Sequence, residues 1–253
     1  MSKIETGTYG GVRIELDKDT GILKMAEKQG VLMRVRLINR LFGSIMEIPF
    51  FSMLLRKAGI AMGEDYVLGW LLENKKGELP TELRAKGQEF QNLQEMVEQD
   101  SMDTSQLTEM RRERTHNQAQ TLDRLTAEVT SLVLQWLQTL PSTKIRSLWQ
   151  EMHDEDVFAG WGRAELVAFD REQGTAQIQM TASFIARLSY YWYQQGHANE
   201  RICSFFEGYF VGEAHIMFGR DDLNCFEQSC RLQGANKCTF VIEPESLLIS
   251  RNA

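Results

Sequence analysis

Apolar and polar residues alternate through Val12-Arg13-Ile14-Glu15-Leu16, stop at Asp17-Lys18-Asp19-Thr20-Gly21, and resume at Ile22-Leu23-Lys24-Met25. That pattern predicts a β-hairpin around a turn rich in Asp and Gly. Over residues 31–72 the period becomes helical, with Leu, Met, Ile and Phe prominent, and Pro49, Gly59 and Gly63 predict a division into two or three short helices. Met33, Met46, Met53 and Met62 are read as core filler in preference to an adaptable binding surface. From 73 to 117 Gln, Glu, Asp, Arg and Ser dominate, which predicts a solvated helix or flexible linker with a small share in the core. Leu122, Leu125, Val129, Leu132, Trp136 and Leu140 then recur at steps of three and four, marking one helical face that covers the C-terminal domain or a second subunit.

Beyond Ser142-Thr143, a capping pair, a helix is expected to His153, with Gly160-Trp161-Gly162 breaking it. Residues 163–169 read as a strand and Asp170 to Gly174 as a turn. Ala176, Ile178 and Met180 alternate with Gln177 and Gln179 in the next strand. Residues 183–193 are apolar and aromatic. Asn199 can cap a helix over 200–218, because Ile202, Phe206, Tyr209, Glu213 and Met217 follow helical steps. Gly208 and Gly212, four apart on that helix, imply close approach of another backbone or of a ligand, since glycine otherwise weakens a helix. Strands over 223–231 and 237–242 follow, joined through Gln233-Gly234-Ala235-Asn236. The order helix, hairpin, helix, hairpin predicts an α+β fold, an antiparallel sheet with packed helices, preceded by a helical N-terminal region. The expected divisions are 1–75, hairpin and apolar helices; 76–117, polar helix or linker; and 118–253, the α+β domain with its leading helix.

Composition narrows the function classes. With 253 residues and 43% hydrophobic content the chain can build a substantial core. A net charge of −7 and a pI near 5.3 argue against a general affinity for nucleic acid. The N-terminus lacks the apolar core of a secretion signal. Glu47, Pro49, Arg56 and Lys57 interrupt the most membrane-like stretch, at 41–62, so no membrane span is expected. The expected location is the cytoplasm, where the four cysteines stay reduced and bind metal or fill the core.

Gly160-Trp161-Gly162-Arg163, the hairpin closed at Gly174, and Cys203-Ser204-Phe205-Phe206-Glu207-Gly208-Tyr209 with Gly212 resemble the 4-vinyl reductase domain family. The ending Glu227-Gln228-Ser229-Cys230, Gly234, Cys238-Thr239-Phe240-Val241 does so too. Its most specific part is the run Glu-x-x-Cys-x₇-Cys, and the resemblance covers roughly the last hundred residues. It implies the mixed α/β fold of transport-complex (TRAPP) subunits and of sensor domains of aromatic-responsive transcription activators, with a tendency to dimerise and to hold a hydrophobic small molecule. It also implies a structural zinc ion on Cys203, Glu227, Cys230 and Cys238. Reductase chemistry does not follow from the family name.

Thiolates and a carboxylate suit zinc, although Glu227 and Cys230 have opposite strand parity, so a bulge or strand end must bring them together. Their net charge of about −2 around a divalent ion would call for Arg201, Arg231, Lys237 or backbone donors nearby. The alternative is that the cysteines are small buried hydrophobes; Cys225, the extra one, is read that way. His116, His153, His197 and His215 show no ligand spacing, and His215 is read as structural. No catalytic triad, phosphate loop or dinucleotide fingerprint is present, so no catalytic residue is assigned. Phe205, Tyr209, Gly212, Ile216, Tyr190 and Trp192 are the candidates to line an apolar ligand site.

Three functions compete. The first is a non-enzymatic binding, sensor or adaptor protein that holds a hydrophobic aromatic or tetrapyrrole and, through its N-terminal helices, a partner or second copy. The second is an accessory factor or reductase of tetrapyrrole metabolism. The third is an assembly scaffold without ligand.

Overall fold

The computed structural model describes residues 4–9, 12–17, 22–25, 28–31, 51–102, 109–156, 162–181 and 203–247. Two compact units divide the chain, Met1–Pro49 and Phe50–Ala253. The described residues of the first form a four-stranded antiparallel meander, β1 (Ile4–Tyr9), β2 (Val12–Asp17), β3 (Ile22–Met25) and β4 (Lys28–Val31), in that spatial order. The expected hairpin is β2–β3, pairing Ile14 with Met25 and Leu16 with Leu23. Its flanking strands carry Gly7 and Gly30, which weaken a strand signature.

The second unit opens with α1 (Phe51–Asn74), then α2 (Thr81–Met102), α3 (Glu109–Thr139) and α4 (Ser142–Asp156). β5 (Arg163–Asp170) and β6 (Thr175–Thr181) follow, then α5 (Ser204–Phe218), β7 (Leu223–Ser229), a 3₁₀ turn at Arg231–Gln233, and β8 (Cys238–Pro244). The strands form one antiparallel sheet in the order β5-β6-β8-β7. Ala164, Leu166, Ala176, Ile178, Met180, Phe240 and Ile242 are buried, as strand alternation requires. The architecture is the α+β antiparallel sheet with packed helices read from the pattern.

Helix α5 carries the core. Fourteen of its fifteen residues are buried, all but His215, because it packs against β7 and β8 and also against α1 and α3. A helix apolar all round is what burial on every side demands. Contrary to expectation, α1 runs unbroken through Gly59 and Gly63. A Cβ at Gly59 would lie 2.3 Å from the Phe205 carbonyl oxygen, and one at Gly63 2.2 Å from that of Tyr209. These glycines are the price of contact between two helix backbones, not breaks.

The first part of the 76–117 segment, over residues 79–90, also departs from expectation. Leu79, Leu83 and Phe90 are buried in the same cluster as Leu125 and Val129 of α3. Their sparse spacing is a narrow apolar stripe, enough for α2 to pack on α3 while its other faces stay solvated. The divisions expected at 75/76 and 117/118 fall inside the second compact unit. Met53 and Met62 are exposed on α1, so the core reading fails for both, while Met33 and Met46 lie outside the described residues. Among the described residues no helix is long and apolar enough to cross a membrane.

Candidate metal centre and buried polar cluster

Cys203 is the N-cap residue of α5, turned inward where that helix meets the sheet. Glu227 lies in β7 at a register slip between Glu227 and Ser229 against β8. Cys230 stands in extended conformation just beyond β7, and the chain then tightens into the 3₁₀ turn. Gly234 closes that turn at φ 93°, a left-handed conformation suited to glycine. Cys238 opens β8. The bulge and strand end thereby reconcile the opposite parities of Glu227 and Cys230.

The ligand atoms of Cys203, Glu227, Cys230 and Cys238 all lie within 4.8 Å of one another, a group that could hold a metal ion. Cys203 Sγ and Cys230 Sγ are 3.9 Å apart, and the Arg231 backbone N–H donates to Cys238 Sγ at 3.5 Å. Glu227 Oε1 is buried without a hydrogen-bond partner, an orphaned acceptor of the kind a cation satisfies.

Proton affinities follow from this crowding. Contacts with the thiols of Cys230 and Cys238, then burial, push the Cys203 thiol far up. Cys238 is drawn down by the Cys203 thiol but raised by Cys230 and by burial, ending at about 12. Burial, then the charge of Cys230, raises Glu227 to about 8. Without a cation these groups hold their protons, because several anions cannot share one low-dielectric site. Cys225 stands apart, buried outside the cluster, and burial alone is the largest cause of its raised pKa. Of the expected compensating cations, Lys237 turns to Gln179 at 3.0 Å, Arg231 supplies its backbone N–H, and Arg201 lies outside the described residues.

The expected ligand residues separate. Phe205 stacks on Tyr209, which meets Tyr66 of α1 at 6.0 Å between ring centroids. Ile216 lines a half-open cleft of about 420 Å³ with Leu68, Leu134, His215 and Arg220. The space beside Gly212 is taken: a Cβ there would stand 2.1 Å from the Ile60 carbonyl oxygen and 2.9 Å from the Glu64 nitrogen. Gly212 therefore admits α1, which corrects its reading as ligand space. Tyr190 and Trp192 lie outside the described residues. His215 bonds Glu64 through Nδ1 at 2.7 Å, as a structural histidine would.

A second constellation escaped the sequence reading. Trp149 Nε1 donates to Glu213 Oε2 at 2.9 Å, and His153 Nε2 lies 2.8 Å from the same oxygen, with all three residues fully buried. Phe210 packs edge-on to His153, and Phe169 and Phe218 pack edge-on to Trp149. The signal was present: Glu213 occupies an apolar step of α5, and a carboxyl group in that position requires donors.

The chain matches no protein-family profile and no curated protein. Among solved structures it is similar to the phenol-responsive sensory domain of the transcription activator PoxR, crystallised with phenol. Identity is 11%, the alignment covers 91% of this chain and 84% of that one, and the TM-score is 0.44.

Proposed function

We propose that this chain is a non-enzymatic binding module whose sheet is held by a structural zinc ion and whose aromatic interior receives a hydrophobic molecule. The convergence of Cys203, Glu227, Cys230 and Cys238 on one point carries this reading. Four protein donors fill a tetrahedral shell and leave no open position for a substrate, which is a structural rather than a catalytic arrangement. Zinc–sulfur bonds of ~2.3 Å put tetrahedral sulfur atoms ~3.8 Å apart, and the Cys203–Cys230 separation of 3.9 Å fits that spacing. Soft thiolates favour Zn²⁺ over magnesium or calcium. The ion would cross-link the start of α5 to the end of β7 and the start of β8.

The Trp149–Glu213–His153 cluster supports the ligand half of the proposal. It is a polar anchor among aromatic rings, the setting that an aromatic or tetrapyrrole molecule with a polar group requires. Phe205, Tyr209, Ile216, Tyr190 and Trp192 are proposed walls. A partner or second copy would read occupancy through the N-terminal helices, where Met53 and Leu54 of α1 are exposed. A cytoplasmic location would keep the thiols reduced.

An assembly scaffold without ligand is the second reading. It is favoured by the filling of the Gly208 and Gly212 faces by α1.

Elemental analysis, absorbance and native mass on protein purified without chelator test both halves. We expect one zinc per chain and an added small-molecule mass that denaturation releases. Metal well below one per chain overturns the zinc centre. An unliganded mass, with no melting shift from a panel of aromatics and tetrapyrroles, favours the scaffold. Turnover of a pigment precursor with a reductant would install the accessory-enzyme reading instead.

A further inference from the structure

We propose that Glu207 is the positioning residue of the metal ligand Glu227, and that Arg56 extends this control to α1, so that metal occupancy and the seating of α1 are coupled. This rests on the metal centre proposed above.

Glu227 occupies an awkward place. β7 is an edge strand, and its ladder with β8 slips immediately after Glu227. A ligand at a bulge on an edge needs an external hold if its carboxylate is to stay aimed. Glu207 supplies it: Oε1 accepts the Glu227 backbone N–H at 2.9 Å. Glu207 lies one helical turn beyond Cys203, and its own N–H bonds the Cys203 carbonyl oxygen at 2.9 Å. One side chain thus fixes the spacing between two ligands that are 24 residues apart in sequence.

The other oxygen of Glu207 faces α1. Oε2 accepts from Arg56 Nη1 at 3.1 Å, the same nitrogen donates to the Cys225 carbonyl oxygen at 3.1 Å, and Nη2 donates to Asn224 Oδ1. Arg56 therefore grips both α5 and the stretch of β7 that leads into Glu227. Its position depends on glycine, since a Cβ at Gly208 would lie 2.0 Å from the Arg56 carbonyl oxygen. Charge gives the arrangement its logic. Three thiolates and a carboxylate around a divalent cation leave a net −2, and the buried Glu207 adds another carboxylate close by. Without a cation it would oppose the centre, whereas paired with the Arg56 guanidinium it can orient Glu227. Both Glu207 oxygens are engaged, which leaves it a positioning group rather than a fifth ligand.

By linkage, whatever α1 contributes to metal affinity the metal returns to α1. The test uses the full chain and three readouts: zinc affinity by chelator competition, the absorption spectrum of the Co²⁺-substituted protein, and hydrogen exchange along α1. Glu207→Ala should weaken zinc binding roughly 10- to 100-fold. It should also shift the Co²⁺ bands as water displaces the Glu227 carboxylate. Glu207→Gln, which keeps an acceptor for the Glu227 N–H, should restore the bands and most of the affinity. Arg56→Met should weaken binding less than Glu207→Ala does. In the wild type, zinc should slow amide exchange around Gly59 and Gly63, and Glu207→Ala should abolish that transfer. If Glu207→Ala melts earlier yet keeps wild-type zinc affinity and Co²⁺ bands, the pair is merely structural and the proposal falls while the metal centre stands. Zinc-induced protection confined to β7 and β8 overturns the coupling to α1. A wild-type chain that binds no zinc overturns the metal centre itself, and this inference with it.

Discussion

Glu227 keeps its proton to about pH 8 and Cys238 to about 12, so a cation entering the centre must displace protons. Zinc binding at pH 7 should release at least three protons, from Cys203, Cys238 and Glu227, and affinity should climb steeply with pH. Calorimetry in buffers of different ionisation enthalpy measures this, and release of one proton or none would contradict it. The metal-free protein should behave in the opposite sense. The folded-state pKa of Glu227 is raised above its ordinary value of 4.5. Its contribution to stability is therefore full below about pH 4.5 and is lost as pH rises through about 8. Melting temperatures with and without zinc should diverge between pH 5 and 9. Cys230→Ser and Cys238→Ser should lose metal and thermal stability together, whereas Cys225→Ala should keep one zinc and cost about 1–2 kcal/mol of core packing. Glu227, Cys230 and Cys238 were legible in sequence through the spacing Glu-x-x-Cys-x₇-Cys, and Cys203 only through the resemblance. Glu207 and Arg56 were not, because their roles arise only when residues 151 apart meet.

At the scale of elements, glycine has opposite effects at different places on one helix. Gly59 and Gly63 face α5 and Gly208 faces α1, each against backbone, while nothing lies within 4 Å of a Cβ at Gly69. Gly208→Ala or Gly63→Ala should destabilise by about 1–3 kcal/mol, since backbone cannot yield as a side-chain tip can. Gly69→Ala, on the same α1, should stabilise by up to about 1 kcal/mol. Chemical denaturation of the three variants checks the signs. Periodicity located α4, β5, β6, α5, β7 and β8 well, since each alternates or repeats over several residues. It failed at α1, where glycine's usual meaning as a break was overridden by a tertiary contact not visible along the chain. It also undervalued α2, whose Leu83 and Phe90, with Leu79 just before the helix, are few yet buried. Limited proteolysis should accordingly spare Thr81 to Phe90.

For the molecule as a whole, α5 brings the two buried polar systems onto one rod. Glu207 faces the metal centre, and Glu213, six residues on, accepts from Trp149 and pairs with His153 of α4. Glu213→Leu should cost about 3–5 kcal/mol by stranding those nitrogens, and Glu213→Gln less, in equilibrium unfolding. Fold class was readable from the order of elements, but this organisation around one central helix was not, because it depends on which of several apolar helices the sheet covers.

The pairing of α1 with α5 also has a consequence in time. Arg56 leaves the ribosome 151 residues before Glu207. At ordinary synthesis rates of 5–20 residues per second, that is a wait of roughly 8–30 s. Throughout it the glycine-lined face of α1 has no partner, and Met53 and Leu54 are exposed even once it has one. Nascent chains of this protein should therefore depend on chaperones, and a stop codon before Cys203 should yield a fragment prone to aggregate. Productive folding of the second unit should begin only once α5 and the strands that follow it have been translated.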